Sequence, residues 1–151
     1  MNFADTNWLE AMFFKVRQDG RDVTVGRFIR NHKPPIVVSQ IVALEARNVF
    51  TRMSGEPEPE EWREFQEDAR FYRDPINWDL LRRDVFALIF RYGNKETFGT
   101  FDLAVLASAK LAGATRLLSF DGKLKALAAA EGLDVFPPLT DQERDLSTRL
   151  K

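Results

Sequence analysis

G-T-F-D-L-A-V-L-A-S-A-K-L-A-G-A-T-R-L-L-S-F-D, residues 99–121, decides how this chain folds. T-F-G-T-F-D (97–102) reads as a turn, and L-A-V-L-A-S-A-K-L-A (103–112) as a helix rich in alanine. Small side chains let a helix approach a sheet closely. Gly113 is a natural C-terminal stop for it. T-R-L-L-S (115–119) is then a strand, and F-D-G-K-L-K-A-L-A-A-A-E (120–131) a second helix ended by Gly132. A helix feeding a buried strand that feeds another helix is the repeating unit of an α/β fold. Within the unit, acids stand where helices begin: Asp102 before the first and Asp121 at the start of the second.

The rest of the chain continues the pattern. Phe3–Ala4 is a short apolar run, followed by Asp5 and a helical spacing of Trp8, Leu9, Met12, Phe13 and Val16 over 7–17. V-T-V-G-R-F-I-R-N-H (23–32) is a helix closed by Pro34–Pro35. I-V-V-S (36–39) is a buried strand, and Ser39 is placed to cap the helix 40–53, whose stripe is Ile41, Leu44, Val49 and Met53. Residues 60–72 and 78–92 read as amphipathic helices, the latter with Leu81, Val85, Leu88 and Ile89 inward. L-D-V-F-P-P (133–138) is a last strand. The expected fold is α/β: a three-layer α/β/α sandwich with a mostly parallel central sheet, formed by residues 1–138. The charged tail 139–151 frays or forms a short helix.

Bulk properties narrow the function. The chain has 151 residues, the size of one domain. It has no cysteine and a single histidine, His32, so disulfides, thiolate sites and His-rich zinc clusters are excluded. No run approaches the ~20 apolar residues of a membrane span, and no secretory leader is visible; both point to a cytoplasmic protein with no membrane partner. The net charge of −1 shows no bulk basic footprint. Basic residues do gather locally at Arg63, Arg70, Arg73, Arg82, Arg83, Arg91 and Lys95. Arg82 and Arg83 are candidates to face nucleic-acid phosphate, and a solvated helix surface explains them equally well.

Ligands of parallel sheets sit outside the carboxyl ends of the strands. Asp5 leaves the first strand there. Ser39 leaves the second, with Glu45 a turn and a half up the following helix. Ser119 and Asp121 leave the third. Each acid alone is also explained as a helix cap or a first-turn acid. Together they would form an all-oxygen cluster suited to Mg²⁺ or Mn²⁺, because carboxylates brought together without a cation raise one another's pKa. The chemistry suggested is metal-assisted phosphodiester hydrolysis.

These stretches resemble the motifs of PIN-domain nucleases: A-D-T-N-W-L-E (4–10), V-V-S-Q-I-V-A-L-E-A (37–46) and residues 99–121, with F-D-G-K-L-K…V-F-P-P similar to the family's ending. The resemblance implies a Mg²⁺- or Mn²⁺-dependent endoribonuclease with Asp5, Glu45, Asp102 and Asp121 as its acidic quartet. It implies Asp5 and Asp102 as direct metal ligands, Asp121 as the next, and Glu45 acting through water. Thr6, Asn7 and Ser119 would support the carboxylates by hydrogen bonds. Many proteins of this size and type are VapC toxins, homodimers restrained by an antitoxin, and the chain is similar to these. It departs from them in a longer, more aromatic segment 55–95, in lacking a basic charge, and in bulky Trp8. A PIN fold that binds RNA or protein without cutting, and a stand-alone RNA-processing nuclease, are the alternatives. A phosphoryl-accepting domain fits less well. A phosphatase of that kind needs a second Asp where Asn7 stands, and a receiver needs a Lys where the chain has S-F-D.

Overall fold

The structure, a computed structural model, describes residues 1–14, 19–32, 35–68 and 71–151, and of 71–74 the backbone. Its elements run β1 (Asn2–Ala4), α1 (Thr6–Phe13), α2 (Arg21–His32), β2 (Ile36–Ser39), α3 (Gln40–Ser54), α4 (Glu60–Glu67) and β3 (Phe71–Asp74). They continue with α5 (Trp78–Tyr92), α6 (Thr100–Leu111), β4 (Arg116–Leu118), α7 (Gly122–Ala130), β5 (Asp134–Phe136) and α8 (Asp141–Leu150). The sheet has five parallel strands in the order β3-β2-β1-β4-β5. Chain direction along the sheet reverses once, after β3. Right-handed crossovers therefore put α1–α4 on one face and α5–α7 on the other, giving a three-layer α/β/α sandwich.

The central strands carry no polar alternation: Phe3, Ala4, Val37, Val38, Leu117 and Leu118 are all buried, as a sheet covered on both faces requires. Against one face pack Trp8, Leu9, Phe28 and Phe50. Phe13, Phe50, Trp62 and Phe65 close ring to ring at centroid distances of 5.3–6.0 Å, which anchors α4 to α1 and α3. Against the other face lie Leu103, Leu106, Ala107 and Leu127. No helix among the described residues is long and apolar enough to cross a membrane.

Four expectations are corrected. The sheet has a strand, β3, inside what reads as the end of helix 60–72. Phe71 and Tyr72 stand at helical spacing from Phe65, so periodicity counts them as helix. Paired aromatics just before Pro75 favour the extended chain, and α4 stops at Glu67. On α3 the buried face is Ile41, Val42, Ala43, Ala46 and Phe50, which turns Leu44 outward. On α5, Ile89 is exposed while Leu81 and Leu88 face inward. Residues 141–150 form α8, capped at Thr140 by a reciprocal pair with Glu143 and packed on α7. The helix expected over 7–17 extends into 15–18, outside the described residues, as do Pro34 and Arg70.

Candidate active site

The strand order reverses between β1 and β4, and this switch point is where open α/β sheets hold ligands. β1 ends at Asp5, whose N–H still pairs with the Leu118 carbonyl at 3.0 Å. The next residue turns into α1, so Asp5 is both the last sheet-bonded residue and the N-cap of a helix. Its carboxylate is 6 % exposed. Oδ1 accepts the Thr6 N–H at 2.8 Å, and Oδ2 accepts the Ser119 hydroxyl at 2.8 Å. Burial raises its pKa from 3.8 to about 7 against the pull of these two bonds, and the nearby Glu45 and Asp102 carboxylates push it further.

The flanking strand ends supply the frame. Ser119, fully buried at the end of β4, gives its one proton to Asp5 and accepts the Asp121 N–H at 3.0 Å. Asn7 takes the Phe120 N–H on its Oδ1 at 3.0 Å, with the Ser119 hydroxyl 3.4 Å from the same oxygen. It thus fixes the β4 exit without touching Asp5. Thr6 supports Asp5 through its backbone N–H; its buried hydroxyl has no hydrogen-bond partner among the described residues. On the other side Ser39 caps α3 through the Val42 N–H and receives the Ser108 hydroxyl at 3.1 Å, tying β2 to α6. Ser108 carried no signal in the sequence, where it is one small residue in an alanine-rich helix.

Asp102 is half-buried in the first turn of α6. Its pKa is raised by burial first, then by the Asp121 and Glu45 carboxylates. Asp121 caps α7 by accepting the Leu124 N–H at 3.1 Å. Glu45 is half-buried on α3. The four acids therefore share one electrostatic field at the carboxyl edge of the sheet. Among the described residues no Lys or Arg is ion-paired with any of them. Arg82 and Arg83 lie elsewhere: both are exposed on α5, 3.9 Å from Asp79 and 2.9 Å from Asp84 respectively.

This donor set suits a hard divalent ion. It is all oxygen, it lacks a counter-cation, and one member is held partly protonated near neutral pH for want of one. Among the described residues no three of the acids stand close enough to enclose an ion by themselves. That matches Mg²⁺, which keeps much of its water and takes one or two carboxylates directly.

Comparison with solved structures finds the same fold in toxins. VapC20 of Mycobacterium tuberculosis, a toxin that cleaves the sarcin–ricin loop, superposes with a TM-score of 0.68 at 19 % identity, covering 83 % of this chain and 94 % of that one. A toxin–antitoxin complex from Klebsiella pneumoniae gives 0.60 at 20 % identity over 83 % and 91 %. FitAcB from Neisseria gonorrhoeae gives 0.58 at 15 % over 91 % and 98 %. No curated protein sequence matches. The sequence profile of the PIN domain covers residues 3–130, from the strand that delivers Asp5 through the helix that Asp121 caps, and this chain belongs to the PIN domain family.

Proposed function

We propose that the chain is a Mg²⁺- or Mn²⁺-dependent endoribonuclease that hydrolyses RNA phosphodiester bonds, and that it acts as the toxin of a toxin–antitoxin pair. The observation that carries the catalytic reading is Asp5: a buried carboxylate, uncompensated by any described cation, at the switch point of the sheet and in the field of two more acids. Burying such a group costs stability, and a ligand cation repays it.

Asp5 and Asp102 would hold the ion directly, Asp121 would complete the acidic wall, and Glu45 would orient the attacking water. A bound divalent ion supplies a Lewis acid for the phosphate and lowers the pKa of a bound water. Ser119 and the Thr6 N–H each occupy one lone pair of Asp5, so both carboxylate oxygens keep a lone pair for the ligand and cannot rotate away from it. Asn7 holds Ser119 and Phe120 in place, and through them the backbone that presents Asp121. Without the cation the acids repel an RNA phosphate, so substrate binding and metal binding are coupled.

The toxin role rests on likeness to VapC20 and the two toxin–antitoxin structures. It implies an antitoxin protein as partner and the cytoplasm as the place of action. Incubating purified protein with structured RNA and Mg²⁺ or Mn²⁺ tests the chemistry: wild type should cut, and Asp5→Asn should lose at least ~100-fold in rate. Equal cleavage by the two proteins would sink the reading. Metal-independent RNA binding without cleavage would instead favour the non-catalytic PIN module. A toxin should arrest growth on expression and be relieved by the product of an adjacent short gene; harmless expression would favour a stand-alone RNA-processing enzyme.

A further inference from the structure

Helix α5 presents the most apolar open surface of the molecule. Phe90 is 91 % exposed, Trp78 59 % and Phe86 57 %, with Ile89 exposed beside them. At 100° per residue, Asp79, Arg82, Arg83, Phe86, Ile89 and Phe90 share one face centred on Phe86, with Trp78 at its margin. The opposite face carries Leu81, Leu88 and Tyr92 into the core. Single exposed apolar residues need no explanation, but a continuous stripe does.

We infer that this face is the contact between two copies of the chain, and that the two α5 helices pack antiparallel across a two-fold axis at Phe86. The inference is independent of the catalytic reading. Two observations favour a second copy as the occupant. The first is area. Three aromatics of about 200 Å² each, more than half exposed, with Ile89 and the stems of Arg82 and Arg83, approach the roughly 800 Å² per partner of a standard interface.

The second is the distribution of charge along the helix. Arg82 and Arg83 lie in its amino-terminal half, and Ile89 and Phe90 in its carboxyl-terminal half. A two-fold axis parallel to the helix would set Arg82 and Arg83 against their own copies. The antiparallel arrangement places residue 82 opposite residue 90 and residue 83 opposite residue 89. Arg82 then meets the face of the partner's Phe90, a cation–π contact, and Arg83 covers the partner's Ile89 with its stem. The axis is isologous, so Phe86 meets its own copy. The two arginines thus belong to the interface and not to an RNA groove. Since α5 begins at the carboxyl edge of the sheet, the two acidic sites point to opposite ends of the dimer.

Because the chain has no cysteine, introduced cysteines report contacts without background. Light scattering at tens of micromolar should give the dimer mass for wild type and the monomer mass for Phe86→Ser/Phe90→Ser, with dissociation weakened at least ~100-fold. Circular dichroism should show an unchanged fold, since both side chains are exposed. Under mild oxidation Phe86→Cys should form a covalent dimer, and a mixture of Arg82→Cys and Phe90→Cys should form the heterodimer. Phe90→Cys alone should stay uncrosslinked. A monomeric wild type, or a double variant that stays dimeric, overturns the interface. A strong 90-to-90 crosslink without the 82-to-90 one overturns the antiparallel arrangement.

Discussion

Asp5 sits between the Thr6 N–H and the Ser119 hydroxyl, with burial holding its pKa at about 7. The folded state therefore binds this proton more tightly than the unfolded chain, whose aspartates titrate near 3.9. Stability is largest where Asp5 is protonated in both states, and is lost as the pH rises from about 4 to about 7. At roughly 1.4 kcal/mol per pH unit, the burden on the metal-free protein at pH 8 is on the order of 2–4 kcal/mol. Asp5→Asn removes the charge and can keep the Thr6 bond. Its metal-free form should melt higher than wild type at pH 8, and the two should converge near pH 4. Mg²⁺ or Mn²⁺ should stabilise wild type and leave the variant unchanged. Thermal melts at the two pH values, with and without ion, check this. A variant less stable than wild type at pH 8 would mean the carboxylate is held for structure and not for a ligand.

Between elements, the contact that joins α5, α6 and the end of α7 is Glu131. Its side chain is 4 % exposed and accepts from Lys110 at 2.6 Å, from Arg91 at 2.5 Å and from the Tyr92 hydroxyl. Burial alone would raise its pKa, but the Lys110, Tyr92 and Arg91 bonds outweigh it and hold the carboxyl below its ordinary value. A depressed acid contributes stability above its unfolded pKa near 4.3, and that contribution disappears as pH falls through the lower folded value. Glu131→Gln should therefore cost about 1–3 kcal/mol at pH 7, and the gap to wild type should close below about pH 4. Urea unfolding across that range measures it; a gap that stays constant with pH would contradict the electrostatic account. RNA cleavage should be untouched, because Glu131 lies at the far end of α7 from Asp121.

The whole molecule is closed by its last helix. Lys125 of α7 is 4 % exposed and reaches Glu143 of α8 at 2.8 Å and the Pro137 carbonyl at 3.1 Å. Leu150 is buried at the end of α8. Removing residues 139–151 would leave a buried ammonium with only carbonyl partners and uncover the apolar face of α7. The expected loss is several kcal/mol, or about 10 °C in melting temperature. A truncated chain that melts within about 3 °C of wild type would show α8 to be dispensable. Cleavage measured well below the melting point should survive, since no group of α8 reaches the acids.

Residues 99–121 determined the alternation of helix and strand by themselves, because buried β-branched and alanine-rich runs have no other stable use between glycine stops. The same local logic placed β2 and α5 at their observed bounds. It could not separate capping from catalysis at Asp5 or Asp121. In the structure both side chains accept a cap bond while standing at the sheet edge, so the two roles do not compete. Periodicity misread Phe71 and Tyr72, since a helical spacing is blind to the strand β2 offers as a neighbour. It also misjudged Leu44 and Ile89, because the direction a helix faces is set by what it packs against. Only the tertiary structure decided that β1 lies between β2 and β4. That order brings Ser39 and Ser119 to either side of Asp5 and lets Glu45, Asp102 and Asp121, distant in the chain, act on one another through a buried, low-dielectric edge.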